Sequence, residues 1–246
     1  MPDAPNELVD QLASTRYGGV TVVDPANLTD DERRTLPSWW IEAAAIDGPD
    51  GVLRAANRWR AVVPGLFSAT VGVFEDRAAG LYIGRETGVP STPLILVYVL
   101  DADPDAHDRF VCWYGYPPAD HLDNRTTGFR PGVRADLTQL PKDLRSFYTQ
   151  LDNRFRVAGL GEAGLYAVDD LFTLDGDPED YEIDRGGHVK PNPETLLPVL
   201  GSSWGNLCLE IGTEEAWQQD DELLQPPGDF LPALDTWLQR FCSPIQ

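Results

Sequence analysis

What this chain has least of, for its size, is positive charge. Its 246 residues carry 19 lysines and arginines against 40 aspartates and glutamates, a formal net charge of −21. Nucleic-acid backbones and anionic membranes are held by Lys and Arg, so neither is expected as a partner. A basic protein is. Cysteine is also scarce: Cys112, Cys208 and Cys242 are odd in number and lack metal-ligand spacing. They read as free structural thiols in a reducing compartment, not as a disulfide framework. No run approaches about 18 apolar residues, and the opening MPDAPNELVDQLAS is acidic with no apolar signal core. The expected location is therefore the cytoplasm, with no membrane insertion.

Recognisable chemistry is equally thin. His107, His121 and His188 form neither His-x-x-His nor His-Glu-x-x-His. Gly159-Leu160-Gly161-Glu162-Ala163-Gly164 has the glycine spacing of a dinucleotide-binding turn, which needs a strand before it and a long helix after it. Here a helical pattern precedes, a strand-like segment follows, and Glu162 would oppose a phosphate. A connector is the better reading. Asp175, Asp177, Glu179 and Asp180 miss the EF-hand register, because Asp180 and Gly187 fall where a glycine and a glutamate are required. Ser202-Ser203-Trp204-Gly205 lacks the Gly-x-Ser-x-Gly elbow and reads as a turn. No catalytic, cofactor-binding or metal-binding residue is assigned, and no cofactor is expected.

What is present suits a folded α+β protein. Hydrophobic residues make up 42% of the chain, while 21 prolines and 22 glycines imply many turns and short elements. The N-terminal region, 1–125, should hold a short helix around Leu8–Leu12 and a strand over Gly19–Val23. A capping box at Thr29 and Glu32 and a helical turn from Trp39 to Ile46 should follow. From Arg58 the residues look strand-rich, with strands over Thr70–Phe74, Leu81–Ile83, Leu94–Leu100 and Phe110–Tyr116. Leu94–Leu100 is almost wholly apolar and should be a central strand buried on both faces. Pro117–Gln139 is turn-heavy and is the best boundary, which divides the chain into 1–125 and 126–246. The order of elements permits two related domains or one sheet spanning the chain.

The second half is organised around Leu140–Asp175. Leu140, Leu144, Phe147, Tyr148 and Leu151 recur at helical spacing behind Pro141, which is tolerated at the first helical position. Glycines then lead to a strand at Leu165–Val168. Leu196–Leu200 and Asn206–Ile211 read as neighbouring strands, with Leu207, Leu209 and Ile211 facing inward. Thr213–Pro227 reads as an acidic connector or broken edge. Asp229 should cap a last helix striped by Phe230, Leu231, Leu234, Trp237, Leu238 and Phe241.

The Leu-Pro start, the helix with Phe147-Tyr148, the glycine-bearing turn, Leu171-Phe172, Leu207–Ile211 and the helix Phe230–Phe241 together resemble the SMI1/KNR4 superfamily, also called SUKH. The resemblance covers roughly residues 130–243, with Arg154 standing after Asn153 where members carry Asn-Gly. It implies a mixed or antiparallel sheet with helices packed on one side. It also implies a non-catalytic protein-binding role, most often as a bacterial immunity protein that blocks a cognate toxin.

Charge placement adds a candidate surface. Between Lys190 and Arg240 there is no Lys or Arg, while acids recur throughout. Such a segment should attract a basic partner. The expected partner-binding residues are Asp177, Glu179, Asp180, Glu214, Glu215, Asp220, Asp221 and Glu222, with Trp204 and Trp217 as anchors. A regulatory adaptor of the same superfamily is the alternative. A nucleic-acid mimic and a carboxylate-based hydrolase are weaker ones.

Overall fold

The computed structural model describes residues 4–87, 94–102, 106–118, 134–159, 163–174, 181–183, 191–220 and 223–241. Its helices are α1 (Asn6–Ala13), α2 (Asp30–Thr35), α3 (Ser38–Ala44), α4 (Asp50–Val62), α5 (Ser68–Arg77), α6 (Lys142–Gln150) and α7 (Phe230–Phe241). Its strands are β1 (Val20–Val23), β2 (Ala78–Glu86), β3 (Ile95–Asp101), β4 (Phe110–Gly115), β5 (Phe155–Val157), β6 (Gly164–Leu165), β7 (Glu182–Ile183), β8 (Leu196–Ser202), β9 (Gly205–Glu210), β10 (Glu215–Asp220) and β11 (Leu223–Asp229). Among the described residues all eleven strands join one sheet, in the order β1-β2-β3-β4-β5-β6-β8-β9-β10-β11-β7. Every pairing is antiparallel except β11 with β7. The fold is α+β.

The sheet has a thick side and a thin side. On the thick side, Ile83, Leu96, Tyr98, Trp113, Phe155, Leu197 and Leu209 meet the buried faces of α3 to α7. Trp59 of α4 sits at its centre, with ring centroids 4.9 Å from both Phe147 and Phe155 and 5.4 Å from Phe74. The edge-on pairs with Phe147 and Phe155 add about 0.5–1.5 kcal/mol each beyond the area they bury. On the thin side, Tyr82, Ile95, Val97, Val99, Cys112 and Tyr114 lie under α1 through Leu8 and Leu12. Helices therefore cover both faces, not one. The alternation along β3 explains this, since odd and even positions are both apolar and each face must be covered.

The expected boundary near residue 125 lies outside the described residues. Described residues on either side of it share the sheet through the β4–β5 ladder, and they share the Trp59-centred core. Asp235 of α7 strengthens the tie. Its buried carboxylate accepts from the Ala69 N–H at 2.8 Å, the Thr70 N–H at 3.0 Å and the Thr70 hydroxyl at 2.8 Å. A residue from the last helix thus caps α5, satisfying amides that no local side chain reaches.

Several expectations hold. The Thr29–Glu32 capping box forms, and Gly19–Val23, Leu94–Leu100, Phe110–Tyr116 and Leu196–Leu200 all contain strands close to the expected limits. Others need correcting. Thr70–Phe74 is helical, within α5, because the cap from Asp235 and a left-handed Phe67 (φ 61°) start a helix despite the β-branched residues. The helix α4 runs through Arg58 into the start of the stretch expected to be strand-rich. Its Val52, Ala55, Ala56 and Trp59 follow helical spacing and are all buried. Thr213–Pro227 contains no simple connector: β10 and β11 form a hairpin there. Their register shifts between Ala216 and Gln218, opposite Pro226 and Pro227, where a ladder can tolerate missing N–H donors. The strand expected over Leu165–Val168 is limited to β6, and Val168–Asp170 forms a single 3-10 turn.

Candidate partner-binding surface

The described candidates, Trp204, Glu214, Glu215, Trp217 and Asp220, all lie in the meander β8–β11, and register decides where each one lies. Along β9, Leu207 and Leu209 enter the main core, whereas Cys208 packs on the other face with Leu196, Trp217 and Leu224. Trp217 is consequently not a surface anchor. It is buried, and its indole N–H donates to Glu210 Oε2 at 2.9 Å. The sequence signal that could have shown this is its position one residue after Ala216 in an alternating strand, which places the pair on opposite, equally covered faces.

Trp204 behaves differently. It occupies the β8–β9 turn, is 48% exposed, and stacks on Phe241 with centroids 5.8 Å apart and ring planes 17° from parallel. Phe241 is itself buried against Trp113. The turn fixes the main chain as well: the Trp204 N–H donates to Ser202 Oγ at 3.0 Å, and Gly205 adopts φ 111° beside the Gln219 carbonyl. The result is a large aromatic ring held in place while half open to solvent. Tyr and Trp held this way are the usual anchors of protein interfaces.

The acids fall into two groups. Asp220 ends β10 next to Gly205, at the Trp204 end of the meander. Glu214, Glu215 and Asp229 lie at the opposite end, about 17 Å away along the strand at 3.4 Å per residue. There Glu215 and Asp229 face each other across the β10–β11 ladder. Asp177, Glu179, Asp180, Asp221 and Glu222 lie outside the described residues.

Electrostatic bookkeeping separates this region from the rest. Arg16–Asp108, Arg34–Asp31, Arg54–Glu42, Arg60–Glu75, Arg85–Glu32, Arg109–Glu7, Arg134–Asp169 and Arg156–Glu86 all pair outside residues 191–241. Among the described residues, none of Glu194, Glu214, Glu215, Asp220 and Asp229 joins an ion pair. Glu210 and Asp235 serve as hydrogen-bond acceptors inside the fold.

A shallow cavity of about 440 Å³ opens at the Glu214 end. Its walls include Leu140, Pro141, Phe230 and Pro232, and its polar rim includes Thr213, Glu214 and Asp229. The main chain holds this corner closed, since the Phe230 N–H donates to the Glu214 carbonyl at 2.9 Å.

Other titratable groups are built into the fold. Asp152 is fully buried; desolvation pushes its carboxyl well above the usual range, against a smaller lowering by the Tyr98 hydroxyl. Tyr98 donates to Asp152 Oδ2 at 3.0 Å and accepts from Trp59 Nε1 at 3.2 Å. Gly115 leaves the space for the second carboxylate oxygen, which a Cβ there would meet at 1.9 Å. Such a shifted acid invites a catalytic reading, but this one sits inside the aromatic core and does not line the cavity. On the thin side of the sheet, Arg156 bonds Glu86 Oε1 and the Tyr116 hydroxyl, both at 2.7 Å. Burial of Tyr116 raises its hydroxyl to about 12. Burial likewise pushes the Cys112 and Cys208 thiols up, which keeps them unreactive; Cys242 lies outside the described residues. Among the described residues no group of three or more His, Cys, Asp or Glu is placed to hold a metal ion, and no helix is long and apolar enough to cross a membrane.

Comparison with family models, with curated proteins and with solved structures finds no match.

Proposed function

We propose that this chain is a non-catalytic, acidic protein-binding protein of the SMI1/KNR4 type: a bacterial immunity protein that acts in the cytoplasm and neutralises a cognate toxin by covering its active or substrate-binding surface. The observation that carries the proposal is the absence of Lys and Arg between Lys190 and Arg240, in a segment whose exposed Glu214, Glu215, Asp220 and Asp229 meet no cation among the described residues, whereas arginines elsewhere pair with Glu32, Glu75 and Glu86. A basic partner supplies the missing cations. Its encounter is accelerated by the negative field, and a fixed, half-exposed Trp204 excludes water at the contact. The order α6, short strands, meander, α7 also follows the element order on which the sequence resemblance rests.

Inhibition by covering a surface requires no reacting group from the inhibitor. The test is affinity capture from the native cell, followed by assay of the captured protein with and without this chain. Stoichiometric suppression of a toxic activity is the expected result. Capture of a signalling protein whose activity is unchanged would replace immunity with an adaptor role. A chain that binds no basic protein would overturn the proposal.

A further inference from the structure

We propose that the cavity between α6, α7 and the β9–β10 turn receives one arginine side chain of the partner. This rests on the protein-binding reading above and names the contact within it. At about 440 Å³ the space lies near the lower end of ordinary ligand pockets, roughly 300–1,000 Å³. That volume accommodates one long side chain. Pro141, Leu231 and Pro232 offer an apolar wall for the methylene stem. Glu214 and Asp229 stand at the polar rim, and among the described residues no Lys, Arg or His lines the space.

The sign of the field is decided by magnitudes. The N-termini of α6 and α7 border the cavity and contribute about half a positive charge each. Lys142 and Asp143 in the first turn of α6 offset one another. Glu214 and Asp229 are the two lining carboxylates, which leaves roughly one negative charge after the helix ends are counted, and Glu215 adds to it from across the ladder beside Asp229. Glu215 and Asp229 oppose each other directly in the ladder, an arrangement that is destabilising until a cation lies between or beside them. Arginine suits the site better than lysine. Its guanidinium is less strongly hydrated and binds carboxylates through a planar fork of donors.

The experiment is an amide NMR titration of the full chain with the capped peptide Gly-Arg-Gly, with Gly-citrulline-Gly and Gly-Lys-Gly as comparisons. The arginine peptide should produce saturable shifts at Gly212, Thr213, Phe230 and Leu231. The citrulline peptide, equal in shape but uncharged, should bind at least about tenfold more weakly, given the strength of charge-assisted hydrogen bonds. The pair Glu214→Gln with Asp229→Asn should lower arginine-peptide affinity by a similar factor. Asp220→Asn, at the far end of the meander, should leave it unchanged. Equal binding of the citrulline peptide, tighter binding of the lysine peptide, absence of saturable shifts, or shifts centred on Trp204 would each overturn the assignment.

The captured partner separates this proposal from the reading beneath it. If the partner still binds the doubly neutralised protein but not Trp204→Ala, the acidic-surface reading stands and the cavity assignment falls. If no basic protein binds the unaltered chain, the broader reading falls and the assignment to a partner falls with it, whatever the peptide does.

Discussion

In residues 4–183, Glu32 meets Arg85, Glu75 meets Arg60 and Glu86 meets Arg156; in residues 191–241, Glu214, Glu215, Asp220 and Asp229 meet no cation among the described residues. The two regions nevertheless share a sheet and a core, so the difference does not arise from separate folding units. Surface ion pairs contribute little to stability, typically 0–1 kcal/mol. Their absence from the meander therefore costs the fold little. It leaves the acids of that surface without cations beside them, whereas arginines lie beside several of the acids elsewhere. One region pairs part of its acid, the other none among the described residues.

The strongest way to break the comparison is to show that the regions unfold separately. Trp59→Ala removes the ring around which Phe74, Phe147 and Phe155 pack, in the core that Leu197, Leu209 and Leu234 of the other region share, and should cost about 3–5 kcal/mol. Urea unfolding followed by both fluorescence and circular dichroism should show one shifted transition. Two separated transitions would divide the molecule. Asp235→Ala removes the cap that α7 supplies to α5, with an expected loss of about 2–3 kcal/mol. Asp235→Asn, which keeps one acceptor, should lose less.

Asp152→Asn sharpens the contrast between a buried acid and exposed ones. Burial raises the folded carboxyl above its unfolded value of about 3.9, so the folded state holds a proton that the unfolded state releases. This contribution is fully present below that unfolded value and is lost as pH rises through the folded one. The stability advantage of Asp152→Asn over the unaltered protein should accordingly grow above pH ~4, by up to about 1.4 kcal/mol per unit. Parallel curves across the neutral range would contradict the assignment. The smallest effect is expected from Asp229→Asn, which relieves the repulsion with Glu215 and should stabilise by about 0.5 kcal/mol. That gain should shrink in high salt, as exposed charges are screened.

The sequence carried much of this arrangement where one force dominates. Leu94–Leu100 announced a strand covered on both faces, and Thr29 with Glu32 announced a helix start, because each depends on neighbours in the chain. Thr70–Phe74 misled for the opposite reason: its helix is started by Asp235, which lies 165 residues away from Thr70. The stripe of Val52, Ala55, Ala56 and Trp59 went unread, because small residues weaken its helical pattern and Asp47–Gly51 reads as a break. At the surface, the lack of Lys and Arg between Lys190 and Arg240 was visible directly. Its division into two ends, and the difference between open Trp204 and enclosed Trp217, depends on β10 register and on what covers each face.

The clamp between Asp235 and the start of α5 has a consequence for how the molecule is made. Most strands join the sheet in the order in which they are synthesised, so a growing chain can add them one after another. The first turn of α5 cannot do the same, since its amides wait for a carboxylate that emerges only with Phe230–Phe241. Until then the first turn of that helix lacks its cap, and full burial of the aromatic centre waits for the last helix to dock.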